Sequence, residues 1–272
     1  MKFGLFYEWP NPDIREWRTL FDEGVEQLQS SEDLGFDYCL VAEHHFSNYG
    51  MSPSPLLQAS YIGQKTNRMQ IATAVLVLPQ WDPLRLAEEV ADLDNLIDGR
   101  FICGVGRGLQ PHELMRFGVT LENSRPRFME SLEILLKAWS SDESFTFEGE
   151  HFNVPHPVTV WPKPMQRPHP PLWIAGTSVE TMVVAAQYDM MPVTGALLGL
   201  SGVSAHLASY IHARRDLGKS YAGAELGLQC VTHVADTDEE AMKALPYARW
   251  QTRSGRALNR LEVENGRVQP KP

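Results

Sequence analysis

The chain has 272 residues, of which 43 % are hydrophobic and 21 % charged; that is enough apolar material for a full core and too much for a disordered chain. Its formal net charge of -10 leaves no basic field to offset phosphate repulsion, which argues against nucleic acid or an anionic membrane surface and for a small-molecule partner. The three cysteines, Cys39, Cys103 and Cys230, are odd in number, far apart and each set in an apolar run, a pattern of reduced core residues in a cytoplasmic protein rather than of a disulfide frame or metal site.

Lys2 to Tyr7 reads as a first strand, not a signal peptide, because Glu8 and Pro10 end the apolar run almost at once. Trp17 to Leu34 follows with Leu20, Phe21, Val25 and Leu28 at helical spacing, and Gly35 stands where a left-handed cap is favoured. Phe36 to Ala42 is a short run apolar on both faces, the mark of a buried parallel strand. Glu43, His44 and His45 close it. A helix about Leu56 to Lys65, a strand Met69 to Leu78, a helix from Pro83 to Ile97 and a strand Phe101 to Val105 continue the alternation. The third helix has an acidic face of Glu88, Glu89, Asp92 and Asp94. Ser124 with Pro126 marks the next helix start, with Phe128, Leu132, Leu135 and Trp139 inward.

Between Phe145 and Pro171 seven prolines rule out helix and central strand, so this stretch is expected to be an ordered insertion able to act as a lid. Leu172 to Ala175 resumes as a fifth strand, followed by a helix Met182 to Gln187, a strand Met190 to Thr194, a helix about Ser204 to Leu217, a strand Leu226 to Ala235 and a helix capped within Asp236 to Glu240. Repeated β-α units of this number favour an α/β barrel of the TIM type over an open sheet. Seven strands can be read, and the tail from 249 to 272 contains no run fit for a central strand. Either the eighth β/α unit is absent from this chain or the count misses one.

Three places carry chemistry. Glu43, His44 and His45 stand at a strand's C-terminal end, where α/β proteins build their sites. Only one imidazole can face the barrel axis if the strand's alternation persists. A neutral imidazole is a suitable general base at pH 7, and the neighbouring carboxylate could set its tautomer; the competing reading is a structural pair bonded to loop carbonyls. Neither this triplet nor His112 with Glu113 has the two-histidine spacing of a zinc helix. Gly104, Gly106 and Gly108 around Arg107 depart from the dinucleotide fingerprint, since the third glycine comes one residue early. They leave a strand end open to close ligand approach beside a guanidinium, or else a glycine turn with Arg107 paired to a surface acid. Gly176, Thr177 and Ser178 precede a helix, as an anion site or as ordinary capping would require. With Arg107 they suggest one phosphate held from two strand ends.

In order along the chain, F-G-L-F, A-E-H-H-F, I-A-T-A-V-L-V-L-P, D-G-R-F with G-V-G-R-G-L, N-S-R at Asn123 to Arg125 and W-I-A-G-T-S resemble the bacterial luciferase-like superfamily of flavin-dependent monooxygenases. The resemblance covers the chain to about Asp236. It implies a single luciferase-like barrel domain over residues 1–272, with the Pro-rich insertion at about 145–171 and a truncated C-terminal tail. It implies FMN at the barrel mouth, its phosphate held by Arg107, Thr177 and Ser178 with Gly106 and Gly176 alongside. Ala74-Val75 would be the family's non-proline cis peptide under the flavin ring, His44 the active-site base and Glu43 its neighbour.

By the same resemblance, reduced FMN and O2 oxidise a small organic substrate, the flavin being reduced by a separate reductase. A homodimer is implied, for which the acidic helix is a candidate face. Where light-emitting members carry a reactive cysteine, this chain has Gly106, and Gln110 replaces an aromatic residue nearby, which argues against light emission from long-chain aldehydes. Two rivals are a deazaflavin-dependent oxidoreductase of the same fold and a non-catalytic flavin-binding shell.

Overall fold

The computed structural model describes residues 1–195 and 199–270, so Lys271 and Pro272 of the tail lie outside the described residues. Strands and helices alternate from the start: β1 (Gly4–Tyr7), α1 (Trp17–Asp33), β2 (Tyr38–Val41), α2 (Pro55–Lys65), β3 (Gln70–Thr73), β4 (Leu76–Val77), α3 (Pro83–Leu96) and β5 (Phe101–Gly106). After β5 come α4 (Pro111–Leu114), α5 (Leu121–Ser140), β6 (Phe145–Glu148), β7 (Asn153–Val158), β8 (Leu172–Ala175), α6 (Val179–Gln187) and β9 (Met191–Gly195). The chain then forms α7 (Gly199–Asp216), β10 (Gly227–Gln229), α8 (Asp238–Met242), α9 (Leu245–Asn259), β11 (Val263–Glu264) and β12 (Arg267–Val268).

The main sheet is parallel in the order β1-β2-β3-β5-β8-β9-β10, with β4 also pairing β5. It curves into a nearly closed barrel of the TIM type. Consecutive parallel neighbours need crossover helices, and the apolar stripes of those helices supply the outer half of the core. Phe21, Val25 and Leu28 of α1, Leu86 and Val90 of α3 and Leu132 and Leu135 of α5 are all buried against it. Because every strand runs the same way, the residues after β1, β2, β4, β5 and β8 all collect at one end.

Several expectations need correction. The helix expected at Ser124 starts earlier: Thr120 Oγ1 accepts from Asn123 N at 3.2 Å and Asn123 Oδ1 accepts from Thr120 N at 2.9 Å, a reciprocal capping box. Pro126 consequently lies inside α5. The Pro-rich insertion contains an antiparallel ribbon of β6 and β7, where Pro155 and Pro157 are tolerated because only one neighbour makes demands on the ladder. Its turn is pinned to α5, with Glu130 accepting backbone N–H bonds from Glu150, His151 and Phe152 at 2.9–3.0 Å.

Asp94 is not part of an exposed acidic face. It is fully buried and accepts from both Gln166 N and Gln166 Nε2. The strand expected over Leu226 to Ala235 shrinks to Gly227–Gln229 at the end of the sheet order, so Cys230 is exposed while Cys39 and Cys103 are buried. The tail adds no strand to the parallel sheet among the described residues; α9 and the β11-β12 hairpin occupy it instead.

Candidate active site

His44 lies between two carboxylates. Its Nδ1 is 3.0 Å from Glu113 Oε1 on α4, and its Nε2 is 3.7 Å from Glu8 Oε1, just beyond β1. The Tyr49 ring meets it edge-on at 4.8 Å between centroids. Gly50 presses against its other side, where a Cβ would stand 2.9 Å from the imidazole Cδ2. A neutral imidazole offers one donor and one acceptor, whereas a ring flanked at both nitrogens by carboxylate oxygens is matched by the doubly donating imidazolium. Burial works against the charged form, but the hydrogen bonds and charges of Glu113 and Glu8 outweigh it and push the His44 pKa up to about 10.

That geometry corrects the expectation of a neutral base tuned by Glu43. Glu43 turns the other way, buried on the far side of the strand from His44. Its carboxylate takes His45 Nε2 at 3.0 Å, Val77 N at 2.8 Å and Trp81 Nε1 at 3.0 Å. Glu113 joins the two halves, because its Oε1 also accepts the backbone N–H of His45 at 3.0 Å.

The peptide bond Ala74-Val75 is cis, and these two residues separate β3 from β4. The glycines of β5 face this crossing: a Cβ on Gly104 would lie 1.8 Å from Thr73 O, and one on Gly106 2.6 Å from Val75 Cγ2. The room they leave is therefore filled by the neighbouring strand. The chain first becomes accessible one residue further on, at Arg107, which is partly exposed. A cysteine at position 106 could not be accommodated without moving Val75.

β8 is the neighbour of β5, Gly104 pairing with Trp173 and Val105 with Ile174, so Arg107 and the turn Gly176-Thr177-Ser178 leave adjacent strand ends. Ser178 is the N-cap of α6, its Oγ accepting from Thr181 N at 3.3 Å. Gly176 has no room for a side chain, a Cβ there meeting Thr181 Oγ1 at 2.6 Å. Thr177 is exposed beside them. Glu180 in the first turn of α6 is held low by its own backbone N–H and by Ser178, with Arg125 and Arg107 adding their charge. Arg125 Nη2 is 3.9 Å from Glu180 Oε2. Two guanidiniums at a helix N-terminus form a cradle whose chemistry fits a phosphate.

The chain as a whole has counterparts among known proteins. The family model for luciferase-like monooxygenases matches residues 1–270. The chain belongs to the luciferase-like monooxygenase family. It is 33 % identical over 250 residues to the uncharacterized protein y4vJ of Sinorhizobium fredii, covering 88 % of this chain. It is 29 % identical over 251 residues to the oxygenase component of the flavin-dependent trigonelline monooxygenase of Acinetobacter baylyi, covering 90 % of this chain. In both cases it spans 68 % of the relative's length. Among solved structures, the monooxygenase RslO1 of Streptomyces bottropensis superposes with a TM-score of 0.85 at 27 % identity, over 92 % of this chain and 77 % of that one. An F420-dependent secondary alcohol dehydrogenase shares the fold, with a TM-score of 0.74 at 20 % identity over 91 % of this chain and 74 % of that one.

The sequence pointed to His44 and to the two strand-end turns, but not to the partners of His44. Glu8, Tyr49 and Glu113 come from three separate segments with no spacing that relates them to position 44. Arg125 was legible only as part of the family stretch N-S-R. Among the described residues no cluster of metal-ligating side chains occurs, and no helix is long and apolar enough to cross a membrane.

Proposed function

We propose that this chain is the oxygenase of a two-component monooxygenase, using reduced FMN and O2 to oxidise a small organic substrate, with the flavin reduced by a separate reductase. The observation that carries the reading is the anion cradle of Arg107 and the β8-α6 turn, set at the same end of the barrel as the His44 cluster. Membership of the family and the flavin-dependent relative support it. Bound FMN would bring the electrons and the reaction with O2.

The chain's own residues divide the remaining work. Arg107, Thr177 and Ser178 would hold the phosphate, and Gly106 and Gly176 would let Val75 and Thr181 pack close behind them. Ala74 and Val75 would be the residues that take the flavin ring. His44 stands as an imidazolium at neutral pH and so holds a proton ready to give, rather than waiting to take one. Glu43 is a positioning residue, fastening β4 through Val77 and the segment after it through Trp81. The protein acts as a single domain, as a homodimer in the cytoplasm.

A second reading is a deazaflavin-dependent oxidoreductase transferring hydride without oxygen, favoured by the fold shared with the F420-dependent dehydrogenase. The two part on one experiment. Oxygen uptake that depends on both the chain and reduced FMN supports the monooxygenase; reduction of a deazaflavin by an alcohol with no oxygen uptake supports the rival. A chain that binds flavin but drives neither reaction would be the non-catalytic shell.

A further inference from the structure

The C-terminal helix reaches back to the site. On α9, Gln251 donates through its Nε2 to Glu8, the same carboxylate that faces His44 Nε2. Its amide also faces the Tyr49 hydroxyl, where it offsets in part the upward push that burial gives the phenol. One turn further along the helix, Gly255 lies against Tyr49, and Ala257 and Leu258 pack with Tyr49, Val263 and Val268 into a small apolar cluster. The hairpin beyond α9 locks onto the loop that follows His44. Asn48 N donates to Gly266 O at 2.8 Å, and Val268 N donates to Asn48 Oδ1 at 2.9 Å.

We propose that Gln251 is a positioning residue for proton transfer at His44: it fixes Glu8 beside the imidazole, which makes the C-terminal helix a working part of the site. The inference rests on the reading of His44 as a proton donor. A glutamate on a short post-strand loop has several rotamers, most of them directed to solvent. The amide of Gln251, by donating to the carboxylate, selects the one that faces His44. No other residue on α9 needs a charge for this, and the amide has none to titrate. The groups that face His44 are Glu8 beyond β1, Glu113 on α4, Tyr49 in the following loop and, through Glu8, Gln251 on α9. His45 shares Glu113 through its backbone, and His112 adjoins that acid in sequence.

The test is the titration of His44 in the intact chain, followed by NMR of selectively labelled imidazoles. It needs no flavin and no substrate. Gln251→Met keeps the volume of the side chain and removes its donor; Gln251→Ala removes both. Thr252→Ala, on the exposed side of the same helix, controls for loosening of α9. The expected result is a His44 midpoint lowered by about one unit or more in both Gln251 variants and unchanged in Thr252→Ala. An unchanged midpoint in both Gln251 variants overturns the role of Gln251 alone. A midpoint at or below the ordinary histidine value in the parent chain overturns the donor reading beneath it.

Discussion

Glu43 and His44 are neighbours in sequence and belong to different networks. The first points to His45, Val77 and Trp81, the second to Glu113 and Glu8. Alternation along an extended segment sends adjacent side chains to opposite sides, so one strand end serves two tasks. The Glu43 side ties the strand end to β4 and Trp81, and the His44 side meets the carboxylates of Glu113 and Glu8.

Loss of Glu43 is therefore a stability defect. Glu43→Ala leaves the Val77 N–H and the Trp81 indole N–H without their acceptor and should cost about 2–4 kcal/mol. Denaturant unfolding measures it, and the His44 titration should be untouched in the same variant.

For His44 the pH dependence has a definite sign. Its folded value near 10 lies above the ordinary 6.5, so the stability it contributes is complete below about pH 6.5 and is lost as pH rises through about 10. Unfolding midpoints of the parent should fall across that window. In His44→Gln the fall should be smaller. Activity should follow the protonated fraction of folded His44 instead, flat through pH 6.5 and falling with a midpoint near 10, whereas a neutral base would give a rise through 6.5.

Glu113 is the stronger of the two acids acting on His44, being the closer. Glu113→Gln should draw the alkaline decline of turnover toward neutrality by more than one unit, roughly what loss of a charged hydrogen-bond partner produces. A pH profile unaltered by this substitution would remove Glu113 from the account.

Arg107 is tested by ligands that differ only in the phosphate. Arg107→Ala should weaken FMN binding by about 10–100-fold, the range for a charge-assisted hydrogen bond, and leave riboflavin binding unchanged. Equal losses for both ligands would show that the arginine shapes the fold, not the anion site.

Gly106 answers to packing. Gly106→Cys brings a Cβ to within 2.6 Å of Val75 Cγ2, and displacing that side chain should cost about 1–3 kcal/mol of stability. Thermal unfolding of the variant reads this directly.

Much of the fold was legible because parallel strands buried on both faces and amphipathic helices leave unambiguous patterns. Tyr38–Val41 and Phe101–Gly106 are continuous apolar runs, and Trp17–Asp33 carries its buried residues at helical spacing. The capping of α5 was misplaced because Ser124 and Pro126 look like a start, while the decisive pair, Thr120 and Asn123, is an unusual form of the box. The site was half legible. His44, Arg107 and Ser178 sit at strand ends that local pattern identifies. Glu8 and Glu113 meet at His44, and Gln251 reaches Glu8, only in the folded chain, and residues 243 apart in sequence leave no local trace of their contact.

Binding of reduced FMN and control of its reaction with O2 are read together by an anaerobic titration of the intact chain with reduced FMN, followed by rapid mixing with oxygenated buffer while flavin absorbance and oxygen uptake are recorded. Saturable binding that Arg107→Ala weakens is expected, with a flavin reoxidation rate that differs from that of free reduced FMN and changes in His44→Gln. Reoxidation at the rate of free flavin, with no saturable binding, would contradict the proposed function.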